Sequence, residues 1–303
     1  MDDFTWGMVQ IVGVHTILGL SAYVILLTGQ VSMAQAGFVA IGAYVAGMLT
    51  VLAEWHIIPA MVTGGLAASV LACIVGFPAL RIRGLMLVVA TIAFGEFVRL
   101  FWFNFDYRIA KGDIVVGPEG GEGFKQIRFF PENGWTTQDV AVFVWVVAAI
   151  ILATLWWMDR SRAGKVLRAV GEDEMAAQSV GINLTVVKVA AFTAGGFIAG
   201  IAGAIYAHYT THIEHLNFDI LMATFAIAYP ILGGLANVWG TLFAAFFIQV
   251  IVIEVLRDLG DVRNLMFGAL IILVMNFLPH GLFSAKVVRK LKEWMGIGKM
   301  SDA

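Results

Sequence analysis

The stretch DRSRAGKVLRAVGEDEMAAQSVGINLTVVK, residues 159–188, is polar, densely charged and rich in helix formers, yet apolar runs flank it on both sides. A helix needs about 20 apolar residues to cross the hydrocarbon layer of a bilayer, and both flanking runs are of that length. Only helices or closed barrels satisfy their backbone in lipid. The runs show no period-2 alternation, so they read as membrane-spanning helices and the interval between them as a surface loop.

Composition agrees with this reading. Of 303 residues, 60% are hydrophobic and 13% charged, and the mean hydropathy is +0.87, well beyond a soluble domain. A formal charge of -2 gives no global basic signature and excludes nucleic acid as the expected partner. Cys73 is the only cysteine, which rules out an intrachain disulfide; inside an apolar run it reads as a small core-type residue. The opening MDDFTWGMVQ lacks the basic n-region of a cleaved signal peptide.

Moving outward, spans are expected near 6–28, 31–53, 59–80, 84–105, 139–158, 188–210, 218–234, 238–257 and 264–279. The expected fold is all-α, a polytopic transmembrane helix bundle of about eight to ten spans, nine by this reading. Residues 1–283 form one membrane domain and 284–303 a basic tail. The segment ILGGLANVWG, 231–240, reads either as a short turn between spans or as a break in one re-entrant helix. Lys and Arg are retained on the cytoplasmic side. With the N-terminus outside, the inside segments hold Arg81, Arg83, Arg160, Arg162, Lys165, Arg168, Lys188 and five tail residues, twelve against six outside. The expectation is N-out and C-in, with the loop 106–138 external and 159–188 cytoplasmic.

Small residues concentrate in GFVAIGAYVAGM (37–48) and TAGGFIAGIAGAIYA (193–207). Such stripes let helices approach closely in lipid, and the two stretches suggest the halves of an internal repeat. No Walker phosphate loop, H-E-x-x-H or G-x-S-x-G occurs. His208 and His212 stand four apart in HYTTHIEH, but no carboxylate is placed as third ligand, so an interfacial polar cluster is favoured over a metal site. Glu96 and Arg99, and Glu254 and Arg257, are each three apart on one helical face. Charge is costly in lipid, so both pairs are expected to face the bundle, as structural ion pairs or as elements of a transport pathway.

The polar interval divides in two. In SRAGKVLRAV, Ser161 suits an N-cap, Val166, Leu167 and Val170 cluster on one face, and Arg162, Lys165 and Arg168 offer positive charge to lipid headgroups. In GEDEMAAQSVGIN, three acids open a short helix, Met175, Ala176, Ala177 and Val180 give a modest apolar surface, Gly181 can close it in the left-handed conformation, and Asn183 can cap the next span. A short helix projecting into the cytoplasm is the shape of a plug for a partner's groove.

This interval resembles the cytoplasmic loop of ABC-importer permeases, whose motif runs approximately E-A-A-x-x-x-G; here Glu174, Met175, Ala176, Ala177 and Gly181 stand at those places. Its neighbours GQVSMAQAGFVAIGAYVAGML (29–49), FPALRIRGLMLVVATIAFGEFVRLF (77–101), KGDIVVGPEGGEGF (111–124), LGGLANVWGTLFAA (232–245) and MFGALIILVMNFLPHGLF (266–283) are together similar to the LivM-type permeases of branched-chain amino-acid ABC importers. The resemblance implies a multi-pass protein of the bacterial inner membrane. It further implies two cytoplasmic ATPase subunits, a second LivH-type permease and a periplasmic substrate-binding protein as partners. The chain itself would be no enzyme and carry no cofactor, ATP hydrolysis lying on the ATPases. Glu174, Met175, Ala176, Ala177 and Gly181 would form the helix that couples to them.

A secondary transporter or channel for small solutes would explain the bundle but not the projecting helix. A membrane-embedded enzyme would need a convergent catalytic set, which the scattered His and Glu residues do not supply. Within the resemblance, permeases of the same branch serve urea, amides or other amino acids, so the substrate stays open at this level.

Overall fold

The computed structural model describes residues 3–79, 81–82, 84–111 and 114–254, with isolated helical positions between 265 and 276. Most of the last expected span, Arg257 and the basic tail lie outside the described residues. Helices α1 (Asp3–Leu26), α2 (Gln35–Val51), α3 (Ile57–Ala79) and α4 (Leu85–Asn104) fall on the first four expected runs. A short sheet follows, β1 (Ile109–Lys111), β2 (Ile114–Pro118) and β3 (Phe124–Lys125), antiparallel in the order β1-β2-β3. After the single turn α5 (Phe129–Glu132) come α6 (Thr137–Arg160), α7 (Arg162–Glu172), α8 (Glu174–Ser179) and α9 (Leu184–Thr210).

Local chemistry sets these boundaries. The Thr136 hydroxyl accepts from the Asp139 amide while the Asp139 carboxylate accepts from the Thr136 amide, a capping box at the start of α6. Asn183 accepts from the Val186 amide and starts α9. Among the described residues, α1, α3, α4, α6 and α9 are long and apolar enough to cross a bilayer. Helix α2 is shorter, at 17 residues. It begins within the bundle, where the Met33 amide donates to the Thr91 hydroxyl inside α4 at 3.0 Å.

Helix α9 is central and packs against α1, α2 and α3. The two small-residue stretches meet face to face there. A Cβ on Gly42 would lie 2.1 Å from the Gly200 carbonyl oxygen, and one on Gly203 2.0 Å from that of Val39. Glycine is required at these contacts because backbone touches backbone. Cys73, expected in the core, is instead exposed on α3.

The segment 231–240 forms a break. Helices α10 (Ile220–Gly233) and α11 (Val238–Phe246) are bent by 118° at a four-residue turn. Gly234 adopts φ +90° after α10, the Asn237 side chain caps α11, and a Cβ on Gly233 would meet the Gly240 carbonyl carbon at 2.2 Å. Beyond α11 the chain continues in π-helical turns, Phe247–Glu254. The seventh and eighth expected segments are therefore not independent spans. They are two arms of one broken unit, of which α10, at 14 residues, is too short to cross ~30 Å at about 1.5 Å per residue.

The sheet and α7–α8 lie at opposite ends of α6. At the sheet end, the Phe124 amide donates to the Ile213 carbonyl just beyond α9 (2.7 Å).

Candidate functional site

Helices α7 and α8 form the polar end of the bundle. Ser161 caps α7, accepting from the Ala163 amide. Leu167 and Val170 are buried beneath it, as the apolar spacing predicts. Glu172 closes α7, and Asp173 caps α8 by accepting from the Met175 and Ala176 amides at 2.8 and 3.0 Å. The three acids thus divide between two helices instead of opening one together. At the far end Gly181 takes φ +87°. Its amide donates to Gln178 and the Ile182 amide to Ala177, a Schellman closure that fixes where α8 stops.

Glu174 reaches back to the base of α9, where Lys188 donates to its carboxylate at 2.6 Å. The Lys188 side chain is 5% exposed and that of Glu174 29%. This pins a six-residue helix that could not hold its shape alone. The spacing-derived candidates separate by exposure. Ala177 is buried under α8, whereas Met175 is 81% and Val180 76% exposed. The outward apolar surface is therefore Met175 and Val180, and Ala177 supports the helix from below instead of forming a contact surface.

Arg168 does not turn to the headgroup zone as expected. Its guanidinium donates to the carbonyls of Leu235 at 2.8 Å and Ala236 at 3.4 Å, both in the turn between α10 and α11. It also donates to the Tyr23 hydroxyl on α1 at 3.0 Å and lies 3.1 Å from the Asp159 carboxylate, to which Tyr23 donates at 2.6 Å. Arg168, Asp159, Tyr23 and Lys188 went unselected in the sequence as site residues. The signal was a Tyr in an apolar run and charges at helix ends, but the carbonyls that Arg168 holds are 67 and 68 residues away.

Glu96 and Arg99 pair as the spacing predicts, through two bonds of 2.8 and 2.5 Å. They do not face the bundle interior: the Glu96 side chain is 49% and Arg99 20% exposed, on the flank of α4. Glu254 ends the π-helical turns, and its expected partner Arg257 is outside the described residues. His208 and His212 diverge. His208 is buried against the Thr50 hydroxyl at 2.8 Å, while His212 meets Glu214 at 2.8 Å. No group of three metal-ligating side chains occurs among the described residues. Deeper in the bundle, the Tyr229 hydroxyl meets His15 at 2.8 Å and accepts from Gln249 in the π-helical turns at 2.7 Å.

At the sheet end the loop 106–138 is tied by surface charge. Arg108 bonds both Asp106 oxygens at 2.8 Å and also Glu119. The hydrogen bond from Lys125 holds the Glu122 carboxyl below its ordinary range, that from Lys111 does the same for Glu54 in the α2–α3 loop, and Asp106 raises Arg108. Gly117, at φ +134°, passes so close to the Tyr107 carbonyl that a Cβ would lie 2.2 Å from its oxygen.

The family model for the permease component of branched-chain amino acid transport systems matches residues 7–275. The chain is 30% identical over 296 residues to the high-affinity branched-chain amino acid permease LivM of Salmonella typhimurium, covering 89% of this chain and 67% of that protein. The LivM of Escherichia coli gives the same figures. A protein of Methanocaldococcus jannaschii described as a probable branched-chain amino acid permease LivM is 24% identical over 73% of this chain and 67% of its own length. No solved structure gives a significant match.

Proposed function

Since the chain belongs to the family of permease components of branched-chain amino acid ABC transport systems, we propose that α8 is the surface through which it couples to its ATPases. A multi-pass membrane permease of this family is not catalytic and works with ATPase and transport partners. The specific assembly we infer is two cytoplasmic ATPase subunits, a second LivH-type permease beside this chain, and a periplasmic binding protein at the end bearing loop 106–138. The N-terminus lies outside, and α7–α8 face the cytoplasm of a bacterial inner-membrane complex. The substrate is a branched-chain amino acid, as the names of the relatives suggest.

One observation carries this reading: a six-residue helix closed at both ends and pinned by Lys188 presents Met175 and Val180 to solvent. Exposed apolar residues on a stiff short helix are what a partner's groove takes up. Glu174 orients the helix, Ala177 seats it and Gly181 ends it. Arg168 then ties the base of this unit to the α10–α11 turn, so a push on α8 has a route to a broken helix inside the bundle. The test is co-purification of the ATPases with Met175→Asp and Val180→Asp chains. Loss of the ATPases from a folded permease is expected; undiminished recovery would overturn the assignment.

A further inference from the structure

Helix α4 is the least enclosed of the five long helices. Its buried residues, Leu87, Thr91, Gly95, Val98 and Trp102, fall on one side. At about 100° per residue, Ile92, Glu96, Arg99 and Phe103 share one flank of the remaining surface, and Phe97 and Phe101 share the other. Glu96 and Arg99 lie about 17 and 21 Å along a helix roughly 30 Å long, at hydrocarbon depth. A charged pair facing acyl chains there is costly, yet half of the Glu96 side chain is uncovered by this chain. Water or protein must cover it.

The surroundings favour water. Beside the pair runs a narrow cleft between α2, α4 and the start of α10, lined by Met33, Ala36, Ile92, Phe218 and Ile220 with Asp219 at its edge. Glu96 and Asp219 line the same cleft. His215 is 8% exposed, lies with its ring 4.8 Å from that of Phe103, and its Nδ1 has no hydrogen-bond partner. Charges of both signs and an unused ring nitrogen thus converge on one flank, while the opposite flank around Phe97 and Phe101 is apolar up to Asn104 at the helix end.

We propose that this flank of α4 lines the water-filled import path, with Arg99 presented to the carboxylate and Glu96 to the ammonium group of a passing zwitterionic amino acid. The proposal rests on the permease reading above. The pair is a ready counterpart for such a solute. A zwitterion can insert between the two side chains so that each charge exchanges one partner for another and none is stripped bare, the condition under which buried charge is tolerated. Ile92 and Phe103, on either side along the helix, accompany the aliphatic part of the solute.

The experiment uses the complete complex in proteoliposomes, with Cys73→Ala as background because Cys73 is itself exposed. Leucine import by that background tests the permease reading alone. Ile92→Cys, Phe103→Cys and Phe97→Cys are then labelled with a charged, membrane-impermeant thiol reagent, which needs hydrated thiolate. Phe97 lies between the other two in depth, so depth cannot account for a contrast. The expected result is labelling at Ile92→Cys and Phe103→Cys about tenfold or more faster than at Phe97→Cys, slowed by excess leucine. Either flank position suffices should the other variant fail to assemble. Equal rates at all positions, or faster labelling at Phe97→Cys, in a background that imports leucine, would overturn the proposal and leave the permease reading intact.

Discussion

The guanidinium of Arg168, on α7, donates to the carbonyl of Leu235 across 2.8 Å, joining the polar end of the bundle to the turn of its broken helix. A helix that stops at a break leaves carbonyls without intrahelical partners. Arg168 satisfies two in the turn while Asp159 balances its charge. Arg168→Gln removes the charge and most of the fork. Since the side chain is 31% exposed, a stability loss of about 1–2 kcal/mol is expected, with the ATPases still bound. Substrate moved per ATP hydrolysed in proteoliposomes should fall several-fold. Arg168→Lys, which keeps the charge but not the planar fork, should lie between.

The Lys188–Glu174 pair predicts an asymmetry between single and double variants. Lys188 is almost fully buried, so Glu174→Gln leaves an uncompensated charge and should cost about 3 kcal/mol. Removing both charges together, Glu174→Leu with Lys188→Met, should cost markedly less. Thermal unfolding in detergent reads the difference; equal losses would show the pair to be unimportant for the fold.

Position 177 and position 175 should fail in different ways. Ala177 is buried beneath α8 and Met175 exposed above it. Ala177→Trp overfills a packed site, an effect of about 1–3 kcal/mol, and should lower the yield of folded chain. Met175→Asp should leave yield and melting temperature unchanged and act only on recovery of the ATPases.

Two glycines give a third contrast. Gly42→Ala drives a methyl to 2.1 Å from the Gly200 carbonyl and must separate α2 from α9, whereas a Cβ on Gly7 meets nothing within 4 Å. Gly7→Ala should be neutral or stabilising by about 0.5–1 kcal/mol. Gly42→Ala should destabilise by more than that, and both are measured by thermal unfolding of the purified permease.

What the sequence revealed follows from which signals are local. Helix positions were legible because apolar runs and caps are contiguous: Ser161, Asn183 and Gly181 all act where their spacing places them. The short helix α8 was legible for the same reason. Which way its residues face was not, because Ala177 and Met175 are both apolar and only packing on the base of α9 distinguishes them. The fate of 231–240 was left open by its own residues. It is decided by the contact of Gly233 with Gly240 and by the grip of Arg168 from a distant segment. The pairing of Glu96 with Arg99 was legible from their spacing, but the exposed flank on which Glu96 sits was not, because one subunit does not supply every surface that a charge can face.

The elbow at 234–237 also bears on how the protein is made. Helix α10, at 14 residues, does not reach across the hydrocarbon layer, so it is not a self-sufficient insertion signal. The pair has to enter as a hairpin against a wall already standing. That wall is α1, where Tyr229 meets His15, a residue synthesised 214 positions earlier. A helix made long before is thus the template for the elbow, and a chain deprived of α1 should still thread its other long helices but leave the elbow without a berth.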